Sequence, residues 1–162
     1  MAKKILIGLL VIFILMQFIR PTRNESTAMS PNDIEKHYET PENVKLILSK
    51  ACRDCHSNNT VYPWYAQFQP GAWFMNDHIV DGKRHFNLSE FAAYEPKKAD
   101  HKLDEFSEEI EEHGMPLESY LWIHTDAKLT DIEIKEVTDW AKGIRKEIQT
   151  NNPQAFLKKD KE

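Results

Sequence analysis

VKLILSKACRDCH, residues 44–56, decides how the rest of this chain is read. Val44, Ile47, Leu48 and Ala51 fall at i, i+3, i+4 and i+7, the single apolar stripe of an amphipathic helix, and the stripe runs straight into Cys52 and Cys55. Thr40, Pro41 and Glu42 supply its start: a hydroxyl for the N-cap, a proline at the first helical position and an acid at the positive end of the dipole. Working outward, Pro70 opens a second helix carrying Ala72, Trp73, Ile79 and Val80, with Gly82 as its expected stop. A third runs from Pro96 to His113 on Leu103, Phe106 and Ile110, with Gly114 ending it. The last is the clearest: Thr130 and Glu133 form a capping box, and Val137, Trp140, Ala141, Ile144 and Ile148 make a continuous stripe. No alternating run supports a sheet, and no internal repeat or Gly-rich phosphate loop is present. The pattern is all-α with long irregular connections.

Both cysteines of the chain lie in Cys52-Arg53-Asp54-Cys55-His56, a C-x-x-C-H motif. Two cysteines three apart at a helix end place both sulfurs on one side, where each can add to a haem vinyl group, with His56 then held beneath the iron as proximal ligand. Covalent attachment also lets a small domain enclose a large apolar ring as part of its core. A thioredoxin-type dithiol would sit between a strand and a helix, and no βαβ pattern surrounds this one. A zinc site would need two more ligands, and His37, His78, His85, His101, His113 and His124 contain no H-x(3–5)-H pair. A disulfide between residues three apart is geometrically poor and closes almost no loop.

The distal side of the iron has two candidates. Met115 lies in Gly114-Met115-Pro116, where the end of a helix turns the chain and a proline stiffens the loop presenting the sulfur; the alternatives are core gap-filling by Met115, ligation by His78, or an open position. Trp64 and Trp73, in the aromatic cluster after the motif, are candidates for packing on the ring as well as for ordinary core. Lys83 and Arg84 could pair with propionates or remain solvated, and His124 suits a hydrogen-bonding place at the pocket edge.

At 162 residues, with 41% hydrophobic and 29% charged residues and only two cysteines, the chain fits one folded unit with appendages rather than a disulfide scaffold or a disordered tail. The divisions read as 1–20 membrane anchor or signal, 21–40 linker, 41–149 haem-binding domain and 150–162 polar tail. Lys3 and Lys4 precede an apolar run from Ile5 to Ile19 closed by Arg20 and Pro21. Its fifteen residues would cover roughly 22 Å as a helix, so an uncleaved transmembrane anchor would need snorkelling flanks or local thinning. A cleaved signal is the alternative, with Ser26 and Ala28 as a small-x-small site. The near match of Lys3 and Lys4 by Arg20 and Arg23 leaves orientation to the motif, whose chemistry is normally completed outside the cytoplasm. The expected location is therefore the inner membrane, single-pass, with the domain in the periplasm.

Against 26 Asp and Glu stand 21 Lys and Arg, a net charge of −5, and three of the bases are confined to the extreme N-terminus. An acidic body argues against a nucleic-acid surface and for redox partners with a basic docking face. The runs CRDCHSNNTVYPWY, WFMNDHIVDGKRHFNLSEF and GMPLESYLWIHTDAKLTDIEIKEVTDWA, in this order between about Val44 and Ile144, resemble the haem-binding domain family, whose members are cytochrome c-like with one C-x-x-C-H motif. The resemblance implies a small all-α cytochrome c-like domain around one covalent haem c, thioethers at Cys52 and Cys55, proximal ligation by His56 and a contribution from Met115. Phe91 departs from the tryptophan the family pattern suggests there. The function expected is single-electron transfer without enzymatic activity; the alternatives are an accessory module of a haem peroxidase and a gas sensor with an open distal site.

Overall fold

The structure, a computed structural model, describes residues 1–26 and 28–157. It is all-α. The helices, in chain order, are α1 Ala2–Met16, α2 Ile34–His37, α3 Glu42–Ala51, α4 Arg53–His56, α5 Gly71–His85, α6 Pro96–Glu111, α7 Glu118–Leu121, α8 Asp131–Asn151 and α9 Pro153–Phe156. Short 3-10 turns occupy Trp64–Gln67, Leu88–Ala93 and Thr125–Ala127, and no strand occurs among the described residues.

The stripes read from the sequence meet in one core. Val44, Ile47 and Leu48 of α3, Leu103 and Ile110 of α6, and Val137, Ala141 and Ile144 of α8 are all buried together. Helices α6 and α8 run antiparallel, as their ion pairs require: Asp100 and Asp104 meet Arg145 while Glu111 meets Lys142, one number rising as the other falls. The capping box of α8 forms, with Glu133 N–H donating to Thr130 Oγ1 at 3.3 Å and Thr130 N–H to Glu133 Oε2 at 2.9 Å. A satellite cluster of Ala66, Met75 and Ile79, flanked by Tyr62 and Tyr65, packs under α5.

Three helix ends differ from the sequence expectation. Thr40 does not cap α3; its hydroxyl donates to the Tyr38 carbonyl at 3.2 Å, and Pro41 takes the N-cap position without a side-chain bond. Gly82 does not stop α5, which continues to His85. Its missing side chain serves a close approach instead, since a Cβ there would lie 2.9 Å from the Cys55 carbonyl oxygen. At the end of α6 the left-handed residue is His113, with φ 60°, and the amides of Gly114 and Met115 both return to the Glu109 carbonyl, at 2.8 and 3.0 Å.

The stretch from Pro21 to Glu39, whose polar sequence with two prolines reads as a linker or a loosely packed arm, packs on the domain. Ile34 is fully buried in the main core, and Asp33, 1% exposed, caps α2 through the Glu35 amide and meets the Arg53 guanidinium. Asn24 binds the Ser57 carbonyl, Thr60 Oγ1 and the Tyr62 hydroxyl. Thr27, inside the expected cleavage stretch, and residues 158–162 of the expected tail lie outside the described residues; the part of that tail that is described extends α8 and forms α9, whose Phe156 packs against the core. Helix α1 covers Ala2–Met16 and exposes its apolar side chains. Among the described residues no helix is long and apolar enough to cross a membrane, so the expected transmembrane helix is not found; fifteen residues at 1.5 Å each fall short of a hydrocarbon core of about 30 Å.

Candidate functional site

The stripe of α3 ends at Cys52, whose backbone leaves the helical region at φ −126°. One further turn, α4, then carries Arg53 to His56, with the His56 amide bonded back to the Cys52 carbonyl at 2.9 Å. That turn is clamped from the far side by α5, which can come so close only because residue 82 is glycine.

His56 is oriented by the residue just beyond α5. Its Nδ1 lies 2.8 Å from the Phe86 carbonyl oxygen, and a carbonyl can only accept, so Nδ1 carries the proton and Nε2 keeps its lone pair. Burial holds the imidazole below its ordinary pKa, partly offset by the Phe86 and Gly82 carbonyls, so it is neutral at pH 7. Neutral imidazole is the metal-binding form. Burial also raises both thiols, Cys52 to about 12 and Cys55 to about 11. At pH 7 burial thus favours the neutral thiol at both positions. Both sulfurs are free, and among the described residues no group of three or more His, Cys, Asp or Glu is placed to hold a metal ion.

Two adjoining clefts, of about 560 and 640 Å³, open on either side of the motif. Cys52 lines the first, with Phe106 and Ile110 of α6 behind it. Cys55 lines the second, with Tyr65, Met75 and Tyr120. His56 and Met115 line both. Each volume is in the range of cofactor sites, and the linings are mainly apolar. Two neutral thiols, an imidazole with a free lone pair and a thioether thus line two adjoining apolar clefts, and this donor set fits haem.

The other expected residues are distributed unevenly. His78 lines the second cleft, with its Nδ1 2.8 Å from the Phe74 carbonyl and its ring against that of Phe74. Trp64 and Trp73 line neither cleft: Trp64 is 73% exposed, and the Trp73 indole donates to the Ile19 carbonyl at 2.9 Å. Lys83 binds Asn24 Oδ1 and Arg84 pairs with Asp81 on the surface, whereas Lys102 and His85 stand at the first cleft.

The sequence reading placed His124 as a hydrogen-bonding group at the pocket edge, and it bonds Tyr65 there; what that reading missed is Tyr120, which lines the second cleft. The Tyr120 hydroxyl donates to Asp54 Oδ2 at 2.9 Å, and its ring stacks on His124 with centroids 4.1 Å apart. His124 Nε2 lies 3.0 Å from the Tyr65 hydroxyl. Burial, reinforced by the Asp54 charge, keeps Tyr120 protonated well above the usual phenol range. Tyr120 and His124 stand one helical turn apart, a spacing visible in the sequence; their link to Asp54, inside the motif, was not.

No curated protein and no solved structure matches the chain. A family model described as a haem-binding domain matches residues 11–143, from within α1 to within α8, and so takes in the motif, both clefts and the packed N-terminal arm. The chain belongs to the haem-binding domain family.

Proposed function

We propose that this is a monohaem c-type cytochrome domain that passes single electrons in the periplasm, with the apolar N-terminal segment attaching it to the inner membrane. The observation that carries the reading is the fixed tautomer of His56, which leaves a lone pair on Nε2 of a residue that, like Met115, lines both the Cys52 cleft and the Cys55 cleft. Bound there, haem iron supplies a one-electron ferric/ferrous couple. Cys52 and Cys55 are the residues that would hold the haem covalently, each thiol adding S–H across a vinyl group with no oxidant needed and no leaving group. His56 would offer Nε2 to the metal, while the Phe86 carbonyl holds its other nitrogen. Met115 supplies a soft sulfur, a ligand that favours the reduced state and raises the potential.

Absorption spectroscopy with pyridine haemochrome and intact-mass measurement, on protein made with a haem maturation system, tests this. The expected result is one covalent haem per chain and a low-spin spectrum. Bare polypeptide mass and colourless protein reject the proposal. A second reading, an accessory peroxidase or gas-sensing module with an exchangeable distal position, draws on the Tyr65 hydroxyl and His78 lining the second cleft. High-spin ferric iron that binds carbon monoxide on reduction selects it.

A further inference from the structure

A reciprocal amide pair fixes the apolar helix to the domain. Gln69 is 1% exposed. Its amide N–H donates to Gln17 Oε1 at 2.9 Å, and its carbonyl accepts from Gln17 Nε2 at 3.3 Å. Its own Nε2 donates to the Ile19 carbonyl at 2.8 Å, the same oxygen that receives the Trp73 indole, and its Oε1 accepts from the Trp73 amide at 3.1 Å. Rotating α1 away from the domain would strand buried donors and acceptors, so both the position and the direction of its exit are set.

What surrounds this clamp is apolar and exposed. Phe68 precedes Gln69, Phe74 follows Trp73, and Trp64 is on the adjoining 3-10 turn. Tyr65 connects the group to Trp122, 75% exposed, and Ile123 through its bond to the neighbouring His124. Phe74 and Ile123 are also at the second cleft.

Beyond Lys3 and Lys4 at its start, helix α1 is apolar around its circumference, a surface that suits lipid. Yet it spans only about 22 Å of a hydrocarbon layer near 30 Å. Inserted in lipid, so short a helix cannot lift its C-terminal end clear of the headgroups, and whatever is fixed to that end is drawn down with it. We infer that the domain sits face-down on the bilayer, with Trp64, Phe68, Phe74, Trp122 and Ile123 in the headgroup layer and the Cys55-side cleft opening along the membrane surface. Tryptophan is enriched at that depth because its ring is amphipathic. This rests on the proposed membrane attachment through α1.

The experiment uses the full haem-loaded chain in phosphatidylcholine vesicles doped with a phosphatidylcholine bearing a photoactivatable diazirine near the headgroup, adducts being mapped by mass spectrometry. Flotation with the vesicles, and adducts on peptides carrying Trp64, Phe68 and Trp122 at least fivefold above those carrying the equally exposed Ile132 on α8, are the expected result. Flotation with adducts on α1 alone overturns the inference and leaves the attachment standing. Absence of flotation overturns both. Protein–protein adducts at Trp64 with a dimer mass place a second copy on the patch and overturn it. In Gln17→Ala, which removes two bonds of the clamp without touching the core, flotation should persist while patch adducts fall at least threefold; unchanged adducts overturn the clamp.

Discussion

Arg53 stands between the two cysteines, but its guanidinium reaches back to the N-terminal arm, 3.3 Å from Asp33 and in contact with Glu35. Asp33 is buried, so removing Arg53 leaves a carboxylate without its cation. Arg53→Ala is expected to lose about 3 kcal/mol in denaturant unfolding, at the lower end for a broken buried pair because the arginine keeps some solvent contact. Arg53→Met with Asp33→Asn should recover part of that; no recovery would count against the pair as the cause. At Gly82 the argument is steric. An added Cβ meets the Cys55 carbonyl at 2.9 Å and Cys55 Cβ at 3.2 Å, both on the turn that carries the C-x-x-C-H motif. Gly82→Ala should therefore destabilise by about 1–3 kcal/mol and lower the fraction of chains carrying covalent haem, read by intact mass. The sequence showed this glycine but not its use, because a glycine near a helix end reads equally as a stop or as a point of close approach, and only the packing partner decides. His113, just past the end of α6, holds φ 60°. His113→Gly should raise stability by up to about 1 kcal/mol by relieving that conformation.

Among the elements, those that were legible carry their instructions locally. Helix α8 has a cap and a stripe of eleven residues' reach in its own sequence, and α3 and α6 have stripes that meet it; periodicity alone places all three in one core. The arm from Pro21 to Glu39 was not legible, because the burial of Asp33 and Ile34 depends on Arg53 and on the main core, partners that no local pattern names. The start of α8 also ties two elements together. Glu133 closes the capping box and pairs with Lys50 of α3 at 2.6 Å. The Lys50 bond first, then the Thr130 backbone bond, hold its carboxyl below the ordinary value. A depressed carboxylate contributes stability that is present above its unfolded pKa, near 4.3, and is lost as pH falls through the folded value. The stability gap between the natural chain and Glu133→Gln should therefore be full at pH 6 and shrink as pH falls below the unfolded value of about 4.3. A gap independent of pH, by denaturant midpoints, would remove Glu133 as a stabilising charge. Thr130→Ala should cost about 1 kcal/mol at neutral pH from the lost cap.

At the scale of the whole molecule, the motif announced the donor set but not the space around it. The sequence placed Cys52, Cys55, His56 and Met115 as candidates; that His56 and Met115 line both clefts while each cysteine lines one follows from how α5, α6 and the loop after His113 converge. The rim of the first cleft carries Glu105, Glu108 and Glu109, consistent with the acidic body. Reaction of the reduced protein with a cationic cobalt complex should slow as salt rises and reaction with ferricyanide should quicken, since screening weakens attraction and repulsion alike; the same salt slope for both would remove electrostatic steering. The distal ligand is the sharper question, because both sulfur and nitrogen candidates border the second cleft. Met115 shares both clefts with His56, whereas His78 lines only one and packs its ring on Phe74. Met115→Ala should then keep the covalent haem mass, lose the methionine-to-iron charge-transfer band and become high-spin, with a lower potential. His78→Ala should keep both band and potential. The reverse pattern would transfer the distal role to His78, and loss of neither band nor spin state in either variant would mean that the iron takes its sixth ligand from elsewhere.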